Sequence, residues 1–364
     1  MKVLPAIFKE WNPKGPPERR VAVLMSGGVD SSTTAHILRE EGWEVCGITM
    51  KIPMSCNPSN RTCCGADAVK VCHAMDIPHY LIDVVDEFQE QIIERFRAQY
   101  SAGRTPNPCA DCNTYLKYSA VLALVMERFG VGHIASGHYA RIEETAEGPV
   151  LKRGLDRNKD QTYFLYGIRP DCLKHLMFPL GSMPKSEVRR IAKDSHLPVW
   201  DKAESMELCF CGDDYRNGLK QEDMPGDIVD STGSVLGRHS GIANFTIGQR
   251  KGLGIATGEP VYVIDVRADE NRIVVGSREQ AEVSTVSATL ESVFMPQRLS
   301  SGAGLSAKVR SYGDPTPCAL EILEGDRISV SFSKPLLAPS PGQILAVYDD
   351  GDRLLAGGII DSCH

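Results

Sequence analysis

A short segment near the N-terminus carries residues whose types and spacing suit phosphate binding. The apolar run 21–25 has the length of a strand, the Ser26–Gly28 turn follows it, and a helical pattern begins soon after the turn. Glycines allow a tight turn without Cβ atoms, and the free amides of a first helical turn attract anions. No lysine follows the glycines, so the loop differs from the GxxxxGK[ST] motif; for Ser-Gly-Gly alone an ordinary turn remains the alternative.

Two thiols at a CxxC spacing form the second group of candidate residues. Segment 104–113 contains two prolines with Cys109 and Cys112, which predicts a stiff loop before a helix from about Thr114. A thiolate at a helix N-terminus is stabilised by the helix dipole, so it is a better nucleophile or metal ligand. The alternatives are an ordinary loop with buried thiols and half of a zinc site, for which Cys209 and Cys211 would be an unusual second pair.

Other polar segments are weaker candidates. His138 follows a short strand, so it is expected at the same sheet edge as the glycine loop, although an ordinary loop histidine is equally compatible. Segment 159–161 is a polar loop that either contacts phosphates or bases or is simply solvated. Arg250 and Lys251 lie between glycines, a pattern that suits contact with a phosphate backbone, although basic turns are usually plain surface.

Cysteine usage indicates reduced thiols. The chain has 12 cysteines and its first 20 residues lack the apolar core of a secretory signal, so catalysis or metal binding is favoured over a disulfide scaffold. The resulting expectation is a cytoplasmic protein. Four cysteines match no ligand spacing and are interpreted as filling a loop rather than binding metal: Cys56, Cys63, Cys64 and Cys72.

Length and charge limit the class of protein. The 364 residues are enough for two or three domains, and 42% hydrophobic with 24% charged residues is typical of a globular protein. The net charge of −7 argues against indiscriminate nucleic-acid binding but leaves room for a local basic patch. No run of 18 apolar residues occurs, so no membrane association is expected.

The elements that must position these residues alternate between strand and helix. Strands are predicted over 21–25, 44–50, 78–83 and 132–136, and helices over 32–41, 66–75, 87–100, 116–129 and 185–193. This alternation predicts an α/β fold with an N-terminal doubly wound parallel sheet and a ligand at the carboxyl ends of its strands.

The C-terminal part has a different texture. Short β-branched runs at 228–229, 234–236, 244–247 and 261–264 predict a small β-rich central domain, and alternating segments from Thr285 predict a C-terminal antiparallel β-barrel. We expect an irregular extension over 1–18, an α/β domain over 19–215, a central domain over 216–282 and a barrel domain over 283–364.

A family resemblance rests on motifs that occur in one order along the chain: SGGVDSS, GITMK, GRTPNPCADCN, SGHY, KDQTYFLY, FPLGSMPKSEVR, the Cys209 segment and TIGQRKGLG. Together they resemble the tRNA-specific 2-thiouridylases, or tRNA-uridine 2-sulfurtransferases, of the PP-loop ATP pyrophosphatase superfamily. The resemblance implies that ATP adenylates the 2-oxygen of the wobble uracil of tRNA, which sulfur then replaces. It also implies a PP-loop catalytic domain, a central domain that contacts tRNA and a β-barrel.

The resemblance further implies roles for individual residues. It assigns Cys209 as the persulfide carrier and Cys112 as its partner nucleophile. It assigns ATP, with Mg²⁺, to Leu24, Met25, Ser26, Gly27, Gly28, Val29, Asp30, Ser31, Ser32, Met50 and Gly137. It assigns tRNA contacts to Asn107, Pro108, Cys109, His138, Lys159, Asp160, Gln161, Arg250, Lys251 and Arg310. The implied partners are a tRNA with a wobble uridine and, as sulfur donor, a sulfur-relay protein or a cysteine desulfurase.

Departures from the family pattern leave a second mechanism open. Cys109 stands where many members have Asp, Cys211 is an additional thiol, and Ser311 follows Arg310 where an aromatic residue is common. Cys109, Cys112 and Cys209 supply enough thiolates for a 4Fe–4S cluster with one open iron for sulfide. We favour the persulfide on Cys209. The alternative classes are another PP-loop enzyme, such as an amidotransferase-type synthetase, and a non-catalytic tRNA- or zinc-binding protein.

Overall fold

In the computed structural model, which describes residues 1–53, 65–204, 208–212, 214–219 and 224–364, the chain divides into two units. Unit 1 comprises Met1–Gln91, Cys109–Asp213 and Asp352–Leu354. Unit 2 comprises Ile92–Pro108, Asp214–Gly351 and Leu355–His364. The domain limits expected at residues 18, 215 and 282 stay predictions.

Unit 1 is built on a six-stranded sheet with the order β1-β4-β3-β2-β5-β8, and a separate hairpin β6-β7. The strands are β1 Lys2–Val3, β2 Arg20–Leu24, β3 Glu44–Lys51, β4 His79–Asp83, β5 His133–Ala135, β6 Ala140–Thr145, β7 Gly148–Arg153 and β8 Leu176–Met177. The sheet pairings are parallel except that β1 is antiparallel to β4. The predicted parallel sheet is confirmed, and the short strand β1 lies in the extension that was expected to be irregular.

The order of the strands reverses beside β2. The chain adds β3 and then β4 on one side of β2, and afterwards β5 on the other side. Loops 25–28 and 136–139 therefore leave neighbouring parallel strands at the same edge of the sheet. Such a reversal is where open parallel sheets bind their ligands. Val21, Ala22 and Val23 of β2 are fully buried, which fixes the strand that carries the first loop.

Most α-helices among the described residues belong to unit 1, whereas those over Arg95–Ser101 and Pro296–Ser301 belong to unit 2. The α-helices are α1 Val29–Glu40, α2 Ala66–Ala74, α3 Val85–Phe88, α4 Arg95–Ser101, α5 Pro108–Asp111, α6 Leu122–Phe129, α7 Lys185–Asp194 and α8 Pro296–Ser301. Segments Gln89–Glu94 and Cys112–Val121 are π-helical. Short 3-10 turns span Pro17–Arg19, Thr162–Leu165, Pro170–His175, Pro179–Ser182, Tyr215–Gly218, Ile242–Asn244 and Glu279–Ala281.

Two of the predicted helices differ from the structure. The helix predicted over 87–100 begins at Val85 and contains the π-helical segment, although Phe88, Ile92 and Phe96 are buried as its pattern indicated. The stiff loop predicted before residue 114 is wrong, because the helix begins at Pro108. Proline suits a first helical turn, where its missing N–H is not needed.

Unit 2 contains two β structures. A four-stranded sheet has the order β10-β9-β12-β11, with β9 Gly226–Asp230, β10 Val235–His239, β11 Tyr262–Arg267 and β12 Arg272–Gly276. A closed barrel has the order β13-β16-β15-β14-β17-β18, with β13 Glu282–Val293, β14 Ser306–Lys308, β15 Thr316–Ile322, β16 Arg327–Leu337, β17 Ile344–Tyr348 and β18 Leu354–Cys363. Both predictions are confirmed.

One predicted strand of the central sheet is absent. The run 244–247 follows the 3-10 turn Ile242–Asn244 rather than pairing with a strand. Phe245 instead packs with Ile228 and Leu253 in the core beneath the sheet, so burial of the aromatic ring explains the apolar pattern. Among the described residues, no helix has both the length and the apolar character needed to cross a membrane.

Candidate active site

The loop between β2 and α1 is held in a fixed shape by its backbone. Gly27 has φ 72°, and a Cβ atom there would lie 2.8 Å from the backbone nitrogen of Ala68. The Met25 N–H donates to Ile48 O over 2.7 Å, and the Thr49 hydroxyl donates to Met25 O over 2.7 Å. These contacts anchor the start of the loop and require glycine at position 27.

The loop hydroxyls are bonded within the loop. Ser31 Oγ lies 3.2 Å from both the backbone nitrogen and Oγ of Ser26, and the Ser32 hydroxyl donates to Gly28 O over 2.8 Å. Ser26 is exposed, whereas Ser31 and Ser32 are buried. The other residues predicted to contact ATP here include Leu24, Met25 and Val29, of which Met25 and Val29 are buried core residues, and these contacts stay predictions.

Asp30 is the centre of a charged cluster on the first turn of α1. Its carboxylate accepts from the Tyr139 hydroxyl over 2.8 Å and from Lys185 Nζ over 2.6 and 2.7 Å. Lys185 Nζ also lies 3.1 Å from Glu204, which pairs with Lys159 over 2.6 Å. Hydrogen bonding from Lys159, with that from Lys185, lowers the pKa of Glu204 to about 2.

The cluster was missed by the sequence analysis. Tyr139 and Lys185 stand in motifs that support the resemblance, but no spacing relates either of them to Asp30, because they lie 109 and 155 positions after it in the sequence. Burial raises the pKa of Tyr139, and the neighbouring Asp30 charge adds to this, so the phenol stays a hydrogen-bond donor. Topology alone brings these groups together.

Gly137 lets the loop after β5 approach α1 closely. A Cβ atom at this position would lie 2.9 Å from Cβ of Asp30 and 2.9 Å from the backbone nitrogen of Ser31. Met50 is partly buried near the end of β3, the strand that pairs with β2 on the side opposite β5. Contacts of Gly137 and Met50 with a nucleotide stay predictions.

Three candidate thiols lie in unit 1. Cys112 is 7% exposed, whereas Cys109 and Cys209 both expose surface. Desolvation by the surrounding protein raises the pKa of Cys109 and Cys112, and that of Cys209 to about 12, against the opposing charge of Lys117. The expected stabilisation of a thiolate at a helix N-terminus is therefore wrong here. The charges of the neighbouring Cys112 and Cys109 raise the pKa of Cys209 further.

Two further thiols of unit 1 are buried. Cys211 is 1% exposed and Cys72 of α2 is fully buried, so both are core residues. Cys56, Cys63 and Cys64 lie outside the described residues. Within the described ranges no three His, Cys, Asp or Glu side chains are grouped so that they could hold a metal ion, and this includes Cys109, Cys112 and Cys209.

His138 is held neutral beside the thiol-bearing helix. Its Nδ1 lies 2.8 Å from the Tyr118 hydroxyl and 2.7 Å from Ser136 Oγ. Burial lowers the pKa of His138 to about 3, and the charge of Lys117 contributes. Tyr118 was not predicted from the sequence, because a buried tyrosine in an apolar helical pattern is indistinguishable from an ordinary core residue.

Residues 159–161 have different surroundings. Lys159 is partly exposed and pairs with Glu204. The Asp160 carboxylate is buried and accepts from Arg153 Nε over 3.2 Å and from the Gly154 N–H over 3.1 Å. Gln161 accepts from the Tyr139 N–H over 2.9 Å. Asp160 and Gln161 therefore brace this loop, and tRNA contacts of all three residues stay predictions.

Unit 2 carries the other residues predicted to contact tRNA. Arg250 and Lys251 are exposed in a turn between Gly248 and Gly252, whose φ angles are 88° and 76°. Arg310 is exposed and donates to Leu337 O, and Tyr312, which was not predicted, is 90% exposed. Asn107 is partly buried and Pro108 is buried at the start of α5.

Family models match almost the whole chain. A tRNA methyl transferase HUP domain matches residues 19–213, a tRNA methyl transferase PRC-barrel domain matches 217–277, and an aminomethyltransferase beta-barrel domain matches 289–360. A tRNA-specific 2-thiouridylase MnmA 1 from Caldanaerobacter subterraneus is 39% identical, with 94% of this chain and 98% of the relative covered. The tRNA-specific 2-thiouridylase MnmA from Nostoc punctiforme is 41% identical, with 94% and 99% covered.

The chain belongs to the tRNA-specific 2-thiouridylase family. The predicted family is thereby confirmed. Among solved structures, the U34-tRNA thiolase NcsA from Methanococcus maripaludis with its [4Fe-4S] cluster aligns with a TM-score of 0.34 and 20% identity, over 52% of this chain and 60% of that chain. This likeness is too weak to carry an argument about the site of this thiouridylase family member.

Gly27→Ala should destabilise the protein by about 1–3 kcal/mol, because it combines a left-handed backbone with a backbone clash. Gly28→Ala is the matched control, since a Cβ there meets only Ser26 Oγ at 3.5 Å. Urea unfolding followed by circular dichroism measures both. Equal midpoints for the two variants would contradict the geometry assigned to the loop.

Alkylation of Cys209 by iodoacetamide should accelerate about tenfold per pH unit from pH 7 to 10, because the pKa is raised and only the thiolate reacts. Mass spectrometry of the modified peptide gives the rate. N-acetylcysteine is the control and should level off near its ordinary pKa of about 8.5. A plateau for Cys209 below pH 9 would contradict the raised pKa of this thiol.

Proposed function

We propose that this protein catalyses ATP-dependent 2-thiolation of the wobble uridine of tRNA. The observation that carries the proposal is the lysine-free phosphate loop at the strand-order reversal, in the same unit as three thiols and in a chain of the thiouridylase family. An ATP site accounts for the loop, and sulfur transfer accounts for the thiols.

The first step activates the uracil. The 2-oxygen attacks the α-phosphorus of ATP, pyrophosphate leaves, and the oxygen becomes part of a good leaving group. Amides of the first turn of α1 and Ser26 would bind the phosphates. Asp30 is the carboxylate suited to Mg²⁺, which takes one or two carboxylates plus phosphate oxygens. AMP then carries the former uracil oxygen away.

The second step transfers sulfur. A persulfide on Cys209, supplied by a persulfide-bearing relay protein or a cysteine desulfurase, attacks carbon 2 through its terminal sulfur and AMP leaves. Cys112 then attacks the Cys209 sulfur, which releases thiolated tRNA and leaves a Cys112–Cys209 disulfide for a dithiol reductant. The high pKa of the Cys209 thiol favours a persulfide, which is the more acidic sulfur and the better nucleophile at neutral pH.

A cluster-borne sulfide is the competing mechanism. It needs Cys109, Cys112 and Cys209 together as ligands, whereas the persulfide route uses only Cys112 and Cys209. The lack of a preformed ligand group among the described residues favours the persulfide.

Other activities account for less of the site. Methyl transfer, which the names of two family models mention, leaves the phosphate loop without a role. A synthetase of the amidotransferase type leaves the thiols without a role, and a non-catalytic tRNA- or zinc-binding protein leaves both without one.

The direct test is a thiolation assay on the purified full chain with unmodified tRNA, MgATP and a persulfide donor. Digestion and mass spectrometry should detect 2-thiouridine at the wobble position only when ATP is present. A wild-type protein that binds ATP and tRNA but forms no 2-thiouridine under anaerobic conditions would overturn the proposal.

Asp30→Asn and Ser26→Ala should each lower the rate of tRNA-dependent adenylation at least about tenfold, the effect of losing one contact worth roughly 1.4 kcal/mol. Pyrophosphate release measures the rate. Thr33→Val is the control, since Thr33 is fully buried in α1 and bonds only its own helix. Unchanged adenylation rates in both loop variants would show that ATP does not bind at this loop.

Cys109→Ser separates the two sulfur mechanisms. The persulfide route predicts that this variant retains most thiolation activity and that wild-type protein purified anaerobically holds no iron. Cys112→Ala is the inactive reference in both cases. An inactive Cys109→Ser protein together with about four irons per wild-type chain would establish the cluster route instead.

Binding of tRNA should depend on salt although the protein is acidic. Replacing Arg250 and Lys251 by Ala should reduce the slope of log affinity against log salt by about two, one for each lost phosphate contact. The control removes the same charge at Arg327 and Lys334, which are exposed on β16. Equal slopes for both double variants would exclude the glycine-flanked turn as a tRNA contact.

A further inference from the structure

The phosphate loop contains no lysine, so a triphosphate bound there needs positive charge from elsewhere in the chain. Lys185, the first residue of α7, supplies a cation at the loop. Its Nζ lies 2.6 Å and 2.7 Å from the two carboxylate oxygens of Asp30. Asp30 belongs to the first turn of α1, whose backbone amides have no partner within the helix and can bind an anion.

Both the backbone and the side chain of Lys185 are held in place by contacts with other residues. Its backbone N–H donates to Asp156 Oδ2 over 3.0 Å, and its side chain is 11% exposed. Its Nζ also lies 5.5 Å from the centre of the Tyr139 ring, and the hydroxyl of that ring donates to Asp30. The cation is therefore held at the loop rather than free to sample solvent.

The surroundings of Lys185 favour an additional anion. Glu204 lies 3.1 Å from Lys185, 2.6 Å from Lys159 and 3.7 Å from Arg189. Three cations thus share Glu204 and Asp30 as their acceptors in this cluster. Because Glu204 keeps Lys159 and Arg189 as partners, phosphate oxygens can take a place beside Lys185 without leaving Glu204 unpaired.

We propose that Lys185 is a phosphate-binding residue of the ATP site, which exchanges the carboxylate of Asp30 for the outer phosphates when MgATP binds. The inference rests on the proposed function, because it takes ATP as the substrate. Mg²⁺ is held by carboxylates together with phosphate oxygens, so Asp30 exchanges the ammonium group for the metal ion. The lysine absent from the loop is thereby supplied by a distant helix.

A purely structural role makes a different prediction. If Lys185 only joins α7 to α1 through Asp30, its loss lowers stability and weakens all adenine nucleotides alike. A lysine that binds the outer phosphates instead distinguishes ATP, which has them, from AMP, which does not. The ratio of the two dissociation constants therefore separates the roles.

The test measures Kd for ATP and for AMP by calorimetry on the full-length chain with Mg²⁺. Lys185→Met should raise the Kd for ATP about tenfold or more, the effect of one charge-assisted hydrogen bond, and that for AMP less than about threefold. Lys193→Met, in the last turn of the same helix, is the control and should change neither. Equal weakening of ATP and AMP by Lys185→Met, or no weakening of ATP, would overturn the proposal.

A second variant decides the question if Lys185→Met does not fold. Glu204→Gln removes an acceptor that competes for Lys185, so the Kd for ATP should fall about threefold while that for AMP stays unchanged. An unchanged or higher Kd for ATP in that variant would contradict the proposal. Absence of thiolation by the wild type would refute the proposed function and still leave the ATP-to-AMP comparison readable.

Discussion

Close packing of two loops at one edge of a parallel sheet is the constraint on which the candidate site depends. The loop after β5 reaches the first turn of α1 only because residue 137 lacks a Cβ atom. This approach allows the Tyr139 hydroxyl to bond Asp30, and the Gln161 side chain in turn bonds the Tyr139 backbone. The first turn of α1 is thus braced by residues 137–139, which Gln161 supports in turn.

Desolvation of the thiols sets the second constraint. Desolvation outweighs the nearby Lys117 charge, so all three candidate thiols are weaker acids than an ordinary cysteine. A plain thiol at Cys209 would rarely be ionised near neutral pH, which is a disadvantage for direct attack on carbon. Loading with a more acidic sulfur removes this disadvantage, so the proposed persulfide is compatible with the raised pKa of Cys209.

Patterns that act locally in the sequence were predictable. The parallel sheet, the barrel and the glycine loop follow from strand length, alternation and turn chemistry, and the structure contains all three. The start of the thiol-bearing helix at Pro108 could not be predicted from the sequence, because two prolines and two asparagines indicate a loop equally well. The ion pairs of Asp30 with Lys185, and the sharing of Lys185 with Glu204, depend on tertiary packing that no sequence spacing encodes.

The fate of the uracil oxygen tests the account most directly. A tRNA that carries ¹⁸O at carbon 2 of its wobble uridine is incubated with the protein, MgATP and a persulfide donor, and the nucleotide products are analysed by mass spectrometry. Adenylation of that oxygen predicts one ¹⁸O atom in AMP for each 2-thiouridine formed, together with unlabelled pyrophosphate. Release of ADP and phosphate, or thiolation with unlabelled AMP, would contradict the account.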